Sequence, residues 1–171
     1  MAAAKFVIAT LVAASIAVPA AIAQSGKTKV VETFRDWTLF NYTSSDSNVC
    51  FISSQPREYR PDDYTRQRSH FYVSAWPKDG VKAEISAKFG KPLSDGSEVK
   101  VRIGSARYTL FTKGDQAFLE DPTQQPKLIS AMRRGREMIV SGLAADGTNI
   151  EDVYSLSGVS AGINSLRRTC N

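Results

Sequence analysis

The stretch Glu98-Val99-Lys100-Val101-Arg102-Ile103-Gly104-Ser105-Ala106-Arg107-Tyr108-Thr109-Leu110-Phe111-Thr112 decides the fold class. Val99, Val101 and Ile103 alternate with Glu98, Lys100 and Arg102, so one face of an extended chain is apolar and the other wet. Gly104-Ser105 suits a two-residue turn that needs a positive φ at its first position. Residues 107–112 then return as the second strand of a hairpin.

Outward from this hairpin the pattern repeats. Lys113-Gly114-Asp115 turns the chain into a short strand at 116–119. Upstream, residues 83–89 form a strand ended by Gly90 and Pro92, and residues 71–76 form one stopped by Pro77 and Asp79-Gly80. Residues 30–40 read as an early strand, the polar cluster 43–48 as a turn, and 49–53 as the returning strand. Residues 24–29 are polar and read as loose. Downstream, Asp121 and Pro122 break the alternation. A helix over 126–134 carries Leu128, Ile129 and Met132 on one side and stops at Gly135. Strands at 138–142 and 150–156 flank the turn Ala145-Asp146-Gly147-Thr148. A last helix over 157–169 aligns Val159, Ile163 and Leu166. About eight or nine strands with turns every eight to twelve residues imply an antiparallel sandwich or barrel, with two short helices in the C-terminal half.

The chain has 171 residues, enough for one domain, with a formal net charge of +5. It is 42% hydrophobic and 23% charged, which excludes disordered, collagenous and coiled-coil classes. One histidine and two cysteines leave little for zinc fingers or iron–sulfur clusters, and neither a metal nor another cofactor is expected.

The first residues read as an export signal. Lys5 precedes an uncharged run over 6–22, broken by Pro19, and Ala21-Ile22-Ala23 supplies the small residues of a cleavage site. A membrane anchor of similar length is the rival reading. Cleavage after residue 23 leaves a single domain over 24–171, expected in the periplasm, secreted or on the outer surface. No later apolar run is long enough to span a bilayer. In an oxidising compartment the two cysteines, Cys50 and Cys170, read first as a structural disulfide; a reactive thiol is the alternative.

Catalytic patterns are sparse. His70 has no Gly-x-Ser-x-Gly serine to serve and reads as a surface or structural histidine. Glu120-Asp121 and Glu151-Asp152 read as solvated acidic pairs at element ends, and Asp62-Asp63 lacks the spacing of a calcium loop. The basic residues are the remaining lead. Arg57, Arg60, Arg66 and Arg68 lie in one polar loop with Tyr59 and Tyr64. This is a candidate surface for an anionic glycan or lipid, with a solvated loop whose charge Glu58, Asp62 and Asp63 offset as the alternative; export argues against nucleic acid. Arg133, Arg134 and Arg136 form a second cluster, for which a favourable interaction with a helix C-terminus is the simpler account. Trp37 and Trp76 both read as core residues rather than a ligand platform.

Three stretches together resemble the invasion-associated locus B family of exported bacterial proteins. One is Phe34-Arg35-Asp36-Trp37 with Val49-Cys50 and Ser54-Gln55-Pro56. The second is the hairpin from Glu98 to Gly104 with Phe111-Thr112-Lys113-Gly114-Asp115. The third is Leu128 to Met132, Gly135 and Tyr154-Ser155-Leu156-Ser157-Gly158-Val159. The resemblance implies an immunoglobulin-like antiparallel β-sandwich and a non-enzymatic envelope or secreted protein, a binding or structural module. It also implies, as an alternative, a virulence-related factor for host-cell adhesion or invasion; a small periplasmic hydrolase is the remaining option. No catalytic residue is carried over. The chain departs from the commoner pattern by lacking a cysteine near Asn41 and Tyr42 and a mid-chain cysteine pair, so that Cys170 is left as the C-terminal partner for Cys50.

Overall fold

The computed structural model describes residues 26–62 and 65–170. The expected leader over 1–23 and the candidate site residue Tyr64 lie outside the described residues. The elements are β1 (Lys27–Phe34), β2 (Trp37–Thr43), β3 (Asn48–Ser54), β4 (Glu58–Arg60), β5 (His70–Trp76) and β6 (Val81–Lys88). They continue with β7 (Glu98–Ile103), β8 (Ala106–Lys113), β9 (Gln116–Leu119), α1 (Gln125–Arg134), β10 (Glu137–Leu143), β11 (Asn149–Ser155) and α2 (Val159–Thr169).

The deciding hairpin forms as its pattern requires. Glu98 pairs with Phe111 and Ile103 with Ala106, and Gly104 in the turn has φ +57°. Val99, Val101 and Ile103 are buried; Glu98 and Lys100 are exposed. Three details differ from the sequence reading. Residues 30–40 are two strands, because the chain reverses at Arg35-Asp36, where Arg35 adopts φ +55°. β1 begins at Lys27, inside the stretch read as loose. The polar loop after Pro56 contains the three-residue strand β4, which pairs with β11. An edge strand that buries no apolar side chain leaves no alternation to read.

The eleven strands form one antiparallel sheet in the order β1-β2-β3-β5-β6-β9-β8-β7-β10-β11-β4. Its end strands do not pair with each other, so it is not a closed barrel. Instead the sheet folds over, continuous through a short β6–β9 pairing, and its two halves enclose one core. Phe71 on β5 bridges them, edge-on to Trp37 at 6.4 Å and to Tyr154 on β11 at 5.9 Å. Trp37 is fully buried, and its indole N–H donates to the Ser155 carbonyl at 3.0 Å, so the polar end of this large side chain is satisfied. Each fully buried Leu39, Ile52, Phe71 or Ile85 contributes about 1.5–3 kcal/mol relative to exposure.

Both helices bury the faces their periodicity marks: Leu128, Ile129 and Met132 on α1, and Val159, Ile163 and Leu166 on α2. α2 lies on β1, β2, β3 and β5. It starts at Gly158, whose φ is +93° and where a Cβ would stand 1.8 Å from the Phe34 carbonyl oxygen. A disulfide from Cys50 on β3 to Cys170, just past α2, ties the helix end to the sheet with a Cα–Cα distance of 6.1 Å. No helix among the described residues is long and apolar enough to cross a membrane.

Candidate functional site

The structure separates the two arginine clusters by whether their charge is already answered. In the loop after β3, Arg57 meets Asp36 at 2.5 Å, and its backbone N–H donates to the Val153 carbonyl. Arg60 lies between Glu58 and Glu151, at 2.7 Å from each. Arg66 is not an exposed loop cation: only 2% of its side chain is accessible. Its guanidinium grips both oxygens of Asp152, donates to Ser69 Oγ at 3.0 Å, and stacks over the Tyr59 ring at 4.9 Å. Arg68 alone of the four has no carboxylate partner among the described residues; it reaches Gln55 Oε1 at 3.5 Å. The loop is therefore pinned to β11 and largely neutralised.

The reason lies in Asp152. Neighbouring residues on a strand face opposite ways, so Glu151 turns outward and Asp152 inward, where it is fully buried. The sequence pattern reads this acid as a solvated charge; the fold buries it instead. Burial pushes its carboxyl above the ordinary value, and the hydrogen bonds and charge of Arg66 act against that rise. An internal carboxylate needs such a partner.

His70 opens β5, with Nδ1 3.3 Å from Ser53 Oγ and its ring stacked on Tyr72. A pocket of about 310 Å³ is lined by Ser53, His70, Asp36 and Arg57. A serine, a histidine and an acid thus share one hollow, but the acid is engaged elsewhere: Asp36 accepts from Arg57 and from Ser155 Oγ at 2.7 Å. Burial, then the charges of Arg68 and Lys88, lower the His70 pKa. The histidine faces cations rather than an orienting carboxylate, unlike the base of a hydrolytic triad. Among the described residues, no group of three or more His, Cys, Asp and Glu could hold a metal.

The second cluster is open. Gly135 follows α1 where a Cβ would come within 2.6 Å of the Ile103 methyl, so the helix end approaches the β7–β8 turn closely. Between them lies a cleft of about 590 Å³ lined by Arg102, Arg134 and Arg136, with Glu137 as its one carboxylate. Arg107 stands directly opposite Arg102 in the β7–β8 register. Arg133 reaches Asn164 Oδ1 on α2 at 2.8 Å, and burial and the nearby Arg167 lower its pKa. Among the described residues none of these arginines has a carboxylate within 4.0 Å. Local sequence undervalued this cluster, because the helix dipole explains only its members in the last turn of a helix.

A third surface is aromatic. Phe40, Phe51 and Tyr72 project from the outer face of β2, β3 and β5, with Phe51 stacked on Phe40 at 5.1 Å and edge-on to Tyr72 at 5.8 Å. Trp76 is half-buried here rather than in the core. It lines an apolar hollow of about 240 Å³ with Tyr42, Val49, Phe51 and Tyr72.

Residues 37–167 match the sequence profile described as the invasion associated locus B (IalB) protein. The crystal structure of invasion associated protein B from Bartonella henselae is similar in fold, with a TM-score of 0.59 at 15% identity, covering 82% of this chain and 97% of that one. No curated protein sequence is similar enough to this chain to count as a match.

Proposed function

The chain belongs to the invasion associated locus B family, and on that premise we propose that it is an exported, non-enzymatic module of the cell envelope. It binds or supports an anionic envelope or host component. The observation that carries this reading is the Cys50–Cys170 bridge, because structural disulfides persist in oxidising compartments. The leader-like residues 1–23 support the same route, and the arginine-lined cleft supplies cations with no carboxylate within 4.0 Å among the described residues.

Cell fractionation with intact-mass measurement tests it. The expected product begins at Gln24, lies in the periplasmic or secreted fraction, and gains mass on reduction by one disulfide. A cytosolic protein with its leader retained and two free thiols overturns the proposal.

A second reading, a surface factor for host-cell adhesion or invasion, is favoured by the name of the Bartonella henselae protein that shares the fold. A deletion strain that enters host cells as well as its parent would eliminate it.

A further inference from the structure

We propose that the arginine cleft between the β7–β8 turn and the end of α1 docks the protein on an anionic phospholipid surface through headgroup phosphates. The inference names the partner of the envelope module proposed above and rests on that reading for where such a surface is met.

The arginines of the cleft hold no carboxylate among the described residues, whereas those of the loop after β3 are largely paired. Exposed Arg57 and Arg60 hold carboxylates at 2.5–2.7 Å, whereas Arg102, Arg107, Arg133, Arg134, Arg136 and Arg167 hold none within 4.0 Å among the described residues. Helix dipoles favour cations in the last turns of α1 and α2. That accounts for Arg133, Arg134 and Arg167, but not for Arg102, Arg107 and Arg136, which lie outside any helix.

The cluster also places like charges together. Arg102 and Arg107 are direct cross-strand partners, an arrangement that destabilises a sheet. Burial, and after it the charge of nearby Arg167, lower the Arg133 pKa. An external anion relieves both repulsions. Guanidinium forks match phosphate oxygens in pairs, which makes phosphate the fitting anion. The cleft draws its cations from the β7–β8 hairpin and from the end of α1, so adjacent headgroups can engage them together. Apolar Ile103 and Ile139 also line the cleft, largely buried beneath its arginines.

The test is co-sedimentation of the purified, oxidised protein with phosphatidylcholine vesicles, with and without phosphatidylglycerol. Binding is expected only with the anionic lipid and to weaken as salt is raised. The triple variant Arg102→Gln, Arg134→Gln, Arg136→Gln should bind about a hundredfold more weakly, while Arg57→Gln with Arg60→Gln binds as the parent does. Near-ultraviolet circular dichroism checks that the triple variant is folded. If it is not, Arg136→Gln alone serves, since that exposed side chain makes no hydrogen bond among the described residues, with about a fivefold loss expected. Equal binding to neutral vesicles, undiminished binding by the variants, or capture by heparin but not by vesicles overturns the inference. Fractionation outcomes bear on export alone, so the two failures are distinguishable.

Discussion

Arg66 and Asp152, 86 residues apart in the chain, close on each other inside the molecule with 2% and 1% of their side chains accessible. The pair fastens the loop between β4 and β5 to β11, and Ser69 is drawn into it through Arg66. Arg66→Met leaves a buried carboxylate without its counter-charge. The expected cost is about 3–5 kcal/mol at neutral pH, read from urea unfolding. Restoring neutrality with Asp152→Leu in the same chain should recover much of it. An unchanged urea midpoint for Arg66→Met would show that the pair carries no weight.

The same pair sets a pH dependence. Asp152 has a folded pKa above its unfolded value, so the folded state holds its proton more tightly. Its contribution to stability therefore falls as pH rises from about 3.9, the ordinary aspartate value, through the raised folded value. In Arg66→Met the downward pull of the guanidinium is gone and the folded pKa rises further. The deficit of that variant should shrink on acidification towards pH about 4. A deficit of equal size at both pH values would contradict this account.

His70 moves the opposite way. Burial and two neighbouring cations lower its pKa, so the folded state favours neutral imidazole. Stability from this residue is present above the unfolded value of about 6.5 and declines as pH falls through the lower folded value. An NMR titration should place the imidazole midpoint below 6.5, and His70→Asn should flatten this part of the pH–stability curve. A midpoint above 6.5 would instead signal a carboxylate partner.

Gly158 carries the junction between β11 and α2. Any side chain there meets the Phe34 carbonyl at 1.8 Å and must adopt φ +93°. Gly158→Ala should cost more than the about 1–3 kcal/mol of backbone strain alone. Gly147 has a similar φ of +86° but open space around it, so Gly147→Ala isolates the strain. Thermal unfolding should rank Gly158→Ala clearly below Gly147→Ala; equal midpoints would remove the packing argument.

How much of this was legible in the sequence follows from the range of the interactions. The Glu98–Ile103 strand and its return depend on alternation and on Gly104, all within sixteen residues, and could be read directly. The helices announce themselves by spacing in the same way. Beyond Arg60, which also meets Glu58 two residues away, the state of these arginines could not be read locally. Arg57 is answered by Asp36, Arg60 by Glu151 and Arg66 by Asp152, at separations of 21, 91 and 86 residues. Counting charge along one loop thus selected the cluster that the fold neutralises. The arginines near α1 looked explained by the helix dipole until β7 and β8 brought Arg102 and Arg107 beside them.

The opposed pair Arg102 and Arg107 yields the prediction that separates a binding surface from a merely tolerated one. Directly opposite like charges on a sheet cost about 0.2–1 kcal/mol, and among the described residues Arg107 is held only by weak donation to turn carbonyls at 3.4–3.5 Å. Arg107→Glu converts repulsion into a cross-strand attraction. It should therefore raise the urea midpoint modestly while weakening attachment to anionic vesicles, since it both removes a cation and adds an anion beside the cleft. A site shaped by folding alone has no reason to show this opposition of stability and binding. If Arg107→Glu stabilises the fold and leaves vesicle binding untouched, the arginines near the turn do not touch the membrane.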